Sequence, residues 1–158
     1  MTGRDLLRME DAEVAALLLE ATKAQVATIN PDGSVHLVPM SYVVVDDELT
    51  LWTDPGSKKV SNLRRDPRIT CLVEQGDDFA SFRAVQMVGT ARLSFDTETS
   101  RAVGEALFAR SVGELSDDLR AYVVGLAPQR VAVSVEPVSV VSWDHRKLAG
   151  ARPDQVGA

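Results

Sequence analysis

Residues 24–53 read AQVATINPDGSVHLVPMSYVVVDDELTLWT, and their punctuation decides the fold. A short apolar run, 24–29, meets Asn30-Pro31-Asp32-Gly33, four residues that each favour a chain reversal. A long strand pattern follows over 34–45, interrupted only by Pro39. Asp46-Asp47 turns the chain again, and 48–53 reads as the next strand. Connections this short join antiparallel neighbours, so the stretch predicts a three-strand meander.

The flanks extend this pattern. Upstream, Val14, Leu17, Leu18 and Ala21 recur at helical spacing within 10–21, and Glu10, Asp11 and Glu13 place negative charge at the helix start, where the dipole favours it. Downstream, Asp54-Pro55-Gly56 ends the third strand and Ser57 is placed to cap a short helix running to Arg65, which Pro67 stops. Strands are predicted over 68–74 and 81–93, with Gly89 as a bulge in the second. Helices follow from Asp96 to Arg110 and over 115–124. The closing strand, 130–143, alternates Val131, Val133 and Val135 with Ala132, Ser134 and Glu136. Six antiparallel strands with peripheral helices predict a mainly β chain folded as a small barrel. It reads as one domain over 1–158, with its core in 10–150 and a loose tail at 151–158.

Composition narrows the function. The 158 residues carry a net charge of −6, which disfavours nucleic acid and anionic membrane as partners. No apolar stretch is long enough to span a bilayer and no leader pattern opens the chain, so a cytoplasmic protein is expected. The one cysteine, Cys71, sits in the apolar run Ile69-Thr70-Cys71-Leu72-Val73 and reads as a core residue. One cysteine and two distant histidines, His36 and His145, give no metal-binding pattern.

The most informative chemical segment is Asp54-Pro55-Gly56-Ser57-Lys58-Lys59-Val60-Ser61-Asn62-Leu63. A helix start offers unbonded N–H groups to an anion. Lysines there oppose the helix dipole, and Lys58 with Lys59 are explained by a phosphate; the alternative is a solvated helix face. Pro39 marks a strand edge or bulge. Trp52 and Trp143 end their strands, as rim packing or as walls for a planar ring. No nucleophile elbow, phosphate-loop or dinucleotide fingerprint is present.

Taken in order, the proline-bearing strand, Trp52-Thr53, Asp-Pro-Gly-Ser-Lys-Lys and Asn62-Leu63-Arg64-Arg65-Asp66-Pro67-Arg68 resemble the pyridoxamine 5′-phosphate oxidase-like superfamily. The last run is especially similar to its actinobacterial flavin/deazaflavin oxidoreductases, as is Ser142-Trp143-Asp144-His145-Arg146-Lys147-Leu148. The resemblance spans about 10–150. It implies an FMN-binding type of split β-barrel and a homodimer with the cofactor in a groove between subunits. Coenzyme F420, a deazaflavin, is the expected cofactor, with FMN as the alternative. The phosphate-binding positions match Ser57, Lys58 and Lys59, the strand-end pair Trp52 and Thr53, and the strand beside the ring His36, Val38, Pro39 and Met40. A polar residue on the long middle strand, often reaching from the partner, matches Gln86, and the late aromatic matches Trp143. The implied activity is hydride transfer to a small electron-poor organic molecule; the alternatives are an FMN-dependent oxidoreductase or a non-catalytic flavin-binding protein. His36-Leu37-Val38-Pro39-Met40-Ser41 lacks the two basic residues of a true pyridoxamine phosphate oxidase, which argues against vitamin B6 oxidation. Arg64, Arg65 and Arg68 either hold the acidic tail of F420 or form a solvated face.

Overall fold

The computed structural model describes residues 3–150; the tail at 151–158 lies outside them. A short helix α1 (Gly3–Leu7) precedes α2 (Asp11–Glu20). The predicted meander follows as β1 (Lys23–Ile29), β2 (Val35–Val45) and β3 (Glu48–Thr53). Then come α3 (Lys58–Arg65), β4 (Arg68–Gln75), β5 (Arg83–Ser94), α4 (Thr97–Val112), α5 (Asp117–Leu126) and β6 (Val131–Asp144), with short 3-10 turns at Ala127–Gln129 and His145–Gly150. All six strands pair antiparallel and close into a barrel in the order β1-β2-β3-β6-β5-β4. Asp46 and Asp47 both adopt left-handed backbone, φ 50° and 64°, the tight turn whose twist suits a two-residue hairpin.

The closure is partial, and this positions the site. β3 pairs with β2 only over Tyr42–Val45, and with β6 only at Val131–Ser134. Residues 35–41 of β2 therefore have β1 as their one strand neighbour, and Pro39 lies on that unpaired length, where a missing N–H costs no ladder bond. The far half of β6 pairs only with β5. The N-terminal segment fills the resulting split: Met9 donates its N–H to Ser142 Oγ at 3.1 Å, and Tyr42 Oη donates to the Leu18 carbonyl at 2.8 Å. Arg110 of α4 donates to the carbonyls of Leu18, Leu19 and Tyr42 and stacks over the Tyr42 ring. It thus supplies the cation that the last turn of α2 lacks.

The barrel interior is apolar, with Val26, Tyr42, Leu51, Val73, Val85 and Val133 fully buried. A second cluster lies outside the barrel, where α4 and α5 cover Val43, Trp52 and Ala132. Helix boundaries follow their caps. Asp96 accepts from Thr99 N–H at 2.8 Å, and Ser116 from Leu119 N–H at 3.3 Å, which starts α5 two residues later than its apolar pattern predicts. The bulge expected at Gly89 is present as a register shift between Val88 and Gly89. No helix among the described residues is long and apolar enough to cross a membrane.

Cys71 is fully buried, and burial pushes its thiol up to about 12. The thiolate is the reactive form, so the native chain is expected to resist a thiol-specific chromogenic reagent at pH 8 and to react promptly once unfolded in urea. Reaction at equal rates in both states would contradict this placement.

Candidate functional site

The sharpest polar feature lies where β3 hands over to α3. Asp54 Oδ1 accepts from Gly56 N–H at 2.6 Å, and the Asp54 carbonyl accepts from Ser57 N–H at 3.1 Å. This turn sets Ser57 at the capping position with extended backbone, φ −68° and ψ 153°. A serine there ordinarily accepts a first-turn N–H. Ser57 makes no such bond; its Oγ is buried without a hydrogen-bond partner among the described residues. A buried hydroxyl left unbonded is costly, and a phosphate oxygen would satisfy both it and the open N–H groups of the helix start.

Charge around Ser57 agrees with that chemistry. Lys59 is half-buried, and its ammonium is held below the ordinary lysine value chiefly by burial; Arg130 pushes the same way and Asp54 opposes it. Arg130 precedes β6, and its guanidinium lies 5.7 Å from the Trp52 ring centroid and 3.8 Å from the Asp54 carboxylate. Sequence reading missed Arg130. Its only signal is positional: Val131 pairs with Thr53, so the residue before it arrives beside the end of β3. Lys58 is exposed and turned toward the β1–β2 hairpin, where it contributes weakly to the lowered pKa of Asp32, a shift owed mainly to hydrogen bonds from Ser34.

The other sequence-predicted residues fall into distinct places. Trp52 is 9% exposed; its Nε1 donates to Ser100 Oγ at 2.8 Å and its ring meets Phe108 edge-on, so its indole packs under α4 and leaves backbone for a ligand. Thr53 is buried beside it. On β2, His36, Val38 and Met40 are half-buried on the face that leads to Tyr42, while Pro39 is exposed on the opposite face. His36 pairs with Thr28, whose hydroxyl accepts from Asn62 of α3 at 3.1 Å, so the start of β2 lies one strand from the anchor of α3. Gln86 and Trp143 belong to the other end of the barrel wall: Gln86 lies between Leu72 and Val141, and Trp143 opposite Ala84. Trp52 faces Ala132 and Trp143 comes eleven residues later, about 36 Å along β6. A single chain does not gather all of these residues around one ligand.

The three arginines beyond the phosphate segment are engaged. Arg68 pairs with Asp66 at 2.6 Å and, with its hydrogen bonds, holds that carboxyl down at about 2. Arg65 donates to the Ile29 carbonyl, and Arg64 stacks 4.8 Å from the Phe95 ring centroid.

A six-stranded barrel split along one side, with an anion-suited corner at the end of β3, defines a split-barrel protein. The chain belongs to the pyridoxamine 5′-phosphate oxidase family, whose model matches residues 10–144. Among solved structures it is similar to the conserved hypothetical protein Rv2991 of Mycobacterium tuberculosis, at 37% identity, covering 98% of this chain and 96% of that one with a TM-score of 0.88. It shares the fold of an F420 reductase, at 21% identity, 79% and 93% coverage and a TM-score of 0.62. A FAD-binding protein of Mesorhizobium loti also shares it, at 19% identity, 85% and 94% coverage and a TM-score of 0.64. No curated protein sequence matches the chain.

Proposed function

We propose that the chain is a cytoplasmic, homodimeric oxidoreductase that binds coenzyme F420 and serves hydride transfer to a small electron-poor organic molecule. The observation that carries this reading is the buried, unpartnered Ser57 Oγ at the start of α3, beside Lys59 and Arg130. Ser57, Lys59, Arg130 and the first N–H groups of α3 would hold the cofactor phosphate, and the open edge of β2 would lie along the ring. A bound cofactor of this type supplies the hydride chemistry itself; the residues of the chain bind, orient and exclude water. The similarity to an F420 reductase favours F420. FMN is the second reading, because the phosphate corner suits either ligand while Arg65 and Arg68 already have partners close by.

The dimer is inferred from separation and from an uncovered apolar face. Leu37, Ala27, Thr70, Val88 and Ser139 form one outward row across five adjacent strands, and Pro39, Gln25, Leu72, Gln86 and Val141 form the next. Leu37 is 60% exposed and Val141 51%. A wall of this kind on a soluble protein marks an interface, and a two-fold pairing through it would carry Gln86 and Trp143 of one subunit to the phosphate corner of the other.

The test joins assembly to binding. Light scattering is expected to return a dimer for the native chain. Val141→Lys is expected to return a monomer that retains its circular dichroism and loses cofactor affinity at least tenfold. A monomeric native chain that still binds F420 or FMN tightly would overturn the shared-site arrangement; a dimer that binds neither would overturn the cofactor.

A further inference from the structure

Asp54 runs against the rest of the phosphate corner, because it puts a carboxylate where the other charged groups favour an anion. Its two oxygens are divided. Oδ1 accepts from Gly56 N–H, which pins the side chain in the turn, and Oδ2 lies 3.8 Å from Arg130. That ion pair is loose, so Arg130 stays available to a second anion. Asp54 also acts on Lys59, offsetting part of the burial that disfavours its ammonium. An asparagine would make the same turn, because the bond to Gly56 needs only a side-chain carbonyl oxygen. The charge of Asp54 is therefore surplus to the turn. Lys58 is turned toward Asp32, whose charge offsets its own. Two cations, Lys59 and Arg130, and one carboxylate, Asp54, leave the corner a single positive charge in excess.

Attraction to this corner grows in proportion to a ligand's charge, whereas the cost of stripping water from the ligand grows as the square of that charge. A corner with one charge in excess therefore favours a singly charged ligand. We infer that Asp54 is a specificity-determining residue: it sets the corner for a phosphodiester, which carries one charge, against a phosphate monoester, which carries about two at neutral pH. The inference rests on the cofactor reading and deepens it. The phosphate of F420 continues into its acidic tail and is a diester, whereas FMN ends in a monoester. The corner can hold either phosphate, and Asp54 separates them by charge. The Asp54 side chain is 63% exposed, so water screens it, and the expected step is about threefold in affinity per ligand charge.

The probes are FMN and its monomethyl phosphate ester, which share ring, side chain and phosphate and differ by one charge. Both are titrated against the full chain by fluorescence at pH 7.5 and low ionic strength, with F420 beside them. The native chain is expected to bind the ester about threefold more tightly than FMN, and the gap narrows as salt rises. Asp54→Asn keeps the acceptor for Gly56 N–H and removes the charge. It is expected to tighten FMN about tenfold and the ester about threefold, which closes the preference. Equal binding of the two flavins by the native chain, or a preference for FMN, would overturn the inference without recourse to any variant and leave the cofactor reading standing. Unchanged affinities in Asp54→Asn, or equal changes for both flavins, would mark Asp54 as a turn residue only and overturn it as well. Binding of F420 with neither flavin bound would place the choice in the ring, with the same consequence. A chain that binds none of the three removes the cofactor reading and the inference with it.

Discussion

Gly89→Ala is expected to lower the stability of the fold by about 3 kcal/mol, near the upper end for overpacking a closed interior. Gly89 sits at the register shift where β5 crosses β6, paired with Pro137. A methyl at Gly89 would stand inside the van der Waals surface of the Glu136 carbonyl oxygen, 2.9 Å from its carbon and 3.0 Å from Pro137 Cα. These are backbone atoms, so no rotamer change can make room. Relief requires moving β5 away from β6 along a pairing that runs from Arg83 to Ser94. The loss corresponds to a melting point roughly 6–12 °C lower for a chain of this size. Gly125→Ala is the contrasting case. Gly125 lies within α5 with nothing within 4 Å of an added Cβ, and the better helix former should stabilise by about 0.5–1 kcal/mol. Urea unfolding with unchanged slope resolves both. Gly89→Ala melting within two or three degrees of the native chain would show that the bulge tolerates a side chain.

That glycine illustrates how far a sequence can be read without coordinates. Its place inside a strand pattern signalled a bulge, because a residue with no side chain weakens a strand unless another backbone comes close. The strands were legible for a similar reason: alternation and turn residues are local signals. Closure was also accessible, since six antiparallel strands in a chain of this length have few ways to hide their edges. What stayed out of reach depends on register. Trp52 ends a strand, and its sequence cannot say that α4, about fifty residues on, will bury the indole against Ser100 and Phe108. Arg130 carries no motif and becomes a neighbour of Lys59 only because β6 pairs with β3 at Val131 and Thr53. Ser57 is legible as a cap position, yet the absence of its capping bond is a matter of rotamer and burial. His145 shows the same limit, because its partners Phe79 and Phe82 both lie in the β4–β5 loop, more than sixty residues earlier.

Lys59→Ala is expected to weaken F420 or FMN binding by roughly 10- to 100-fold, the range for a charge-assisted hydrogen bond made away from bulk water. The same substitution is expected to leave the stability of the cofactor-free chain unchanged or slightly higher. The two signs separate a binding lysine from a structural one. In the free protein, burial and Arg130 both disfavour the charged ammonium, and Asp54 offsets them only in part. Removing that ammonium therefore relieves the fold while depriving a phosphate of its counter-charge. The pH dependence follows from the same lowered pKa. The unfolded chain keeps the Lys59 proton to higher pH than the folded one, so the unfavourable contribution of Lys59 to stability fades as pH rises through its lowered value. Cofactor binding needs the proton, so affinity should fall over that same alkaline interval, earlier than a solvated lysine would allow. Arg130→Ala should weaken binding comparably, and because Arg130 helps to lower the Lys59 value, the alkaline loss of affinity should persist but move to higher pH. Lys58→Ala should have the smallest effect, since Lys58 is exposed and turned toward Asp32. Fluorescence titrations of the four proteins with each cofactor, at neutral pH and at two alkaline values, measure all of this. Equal losses for Lys58→Ala and Lys59→Ala would reduce the corner to a diffuse positive field, and unchanged affinity in Lys59→Ala would move the phosphate elsewhere on the barrel.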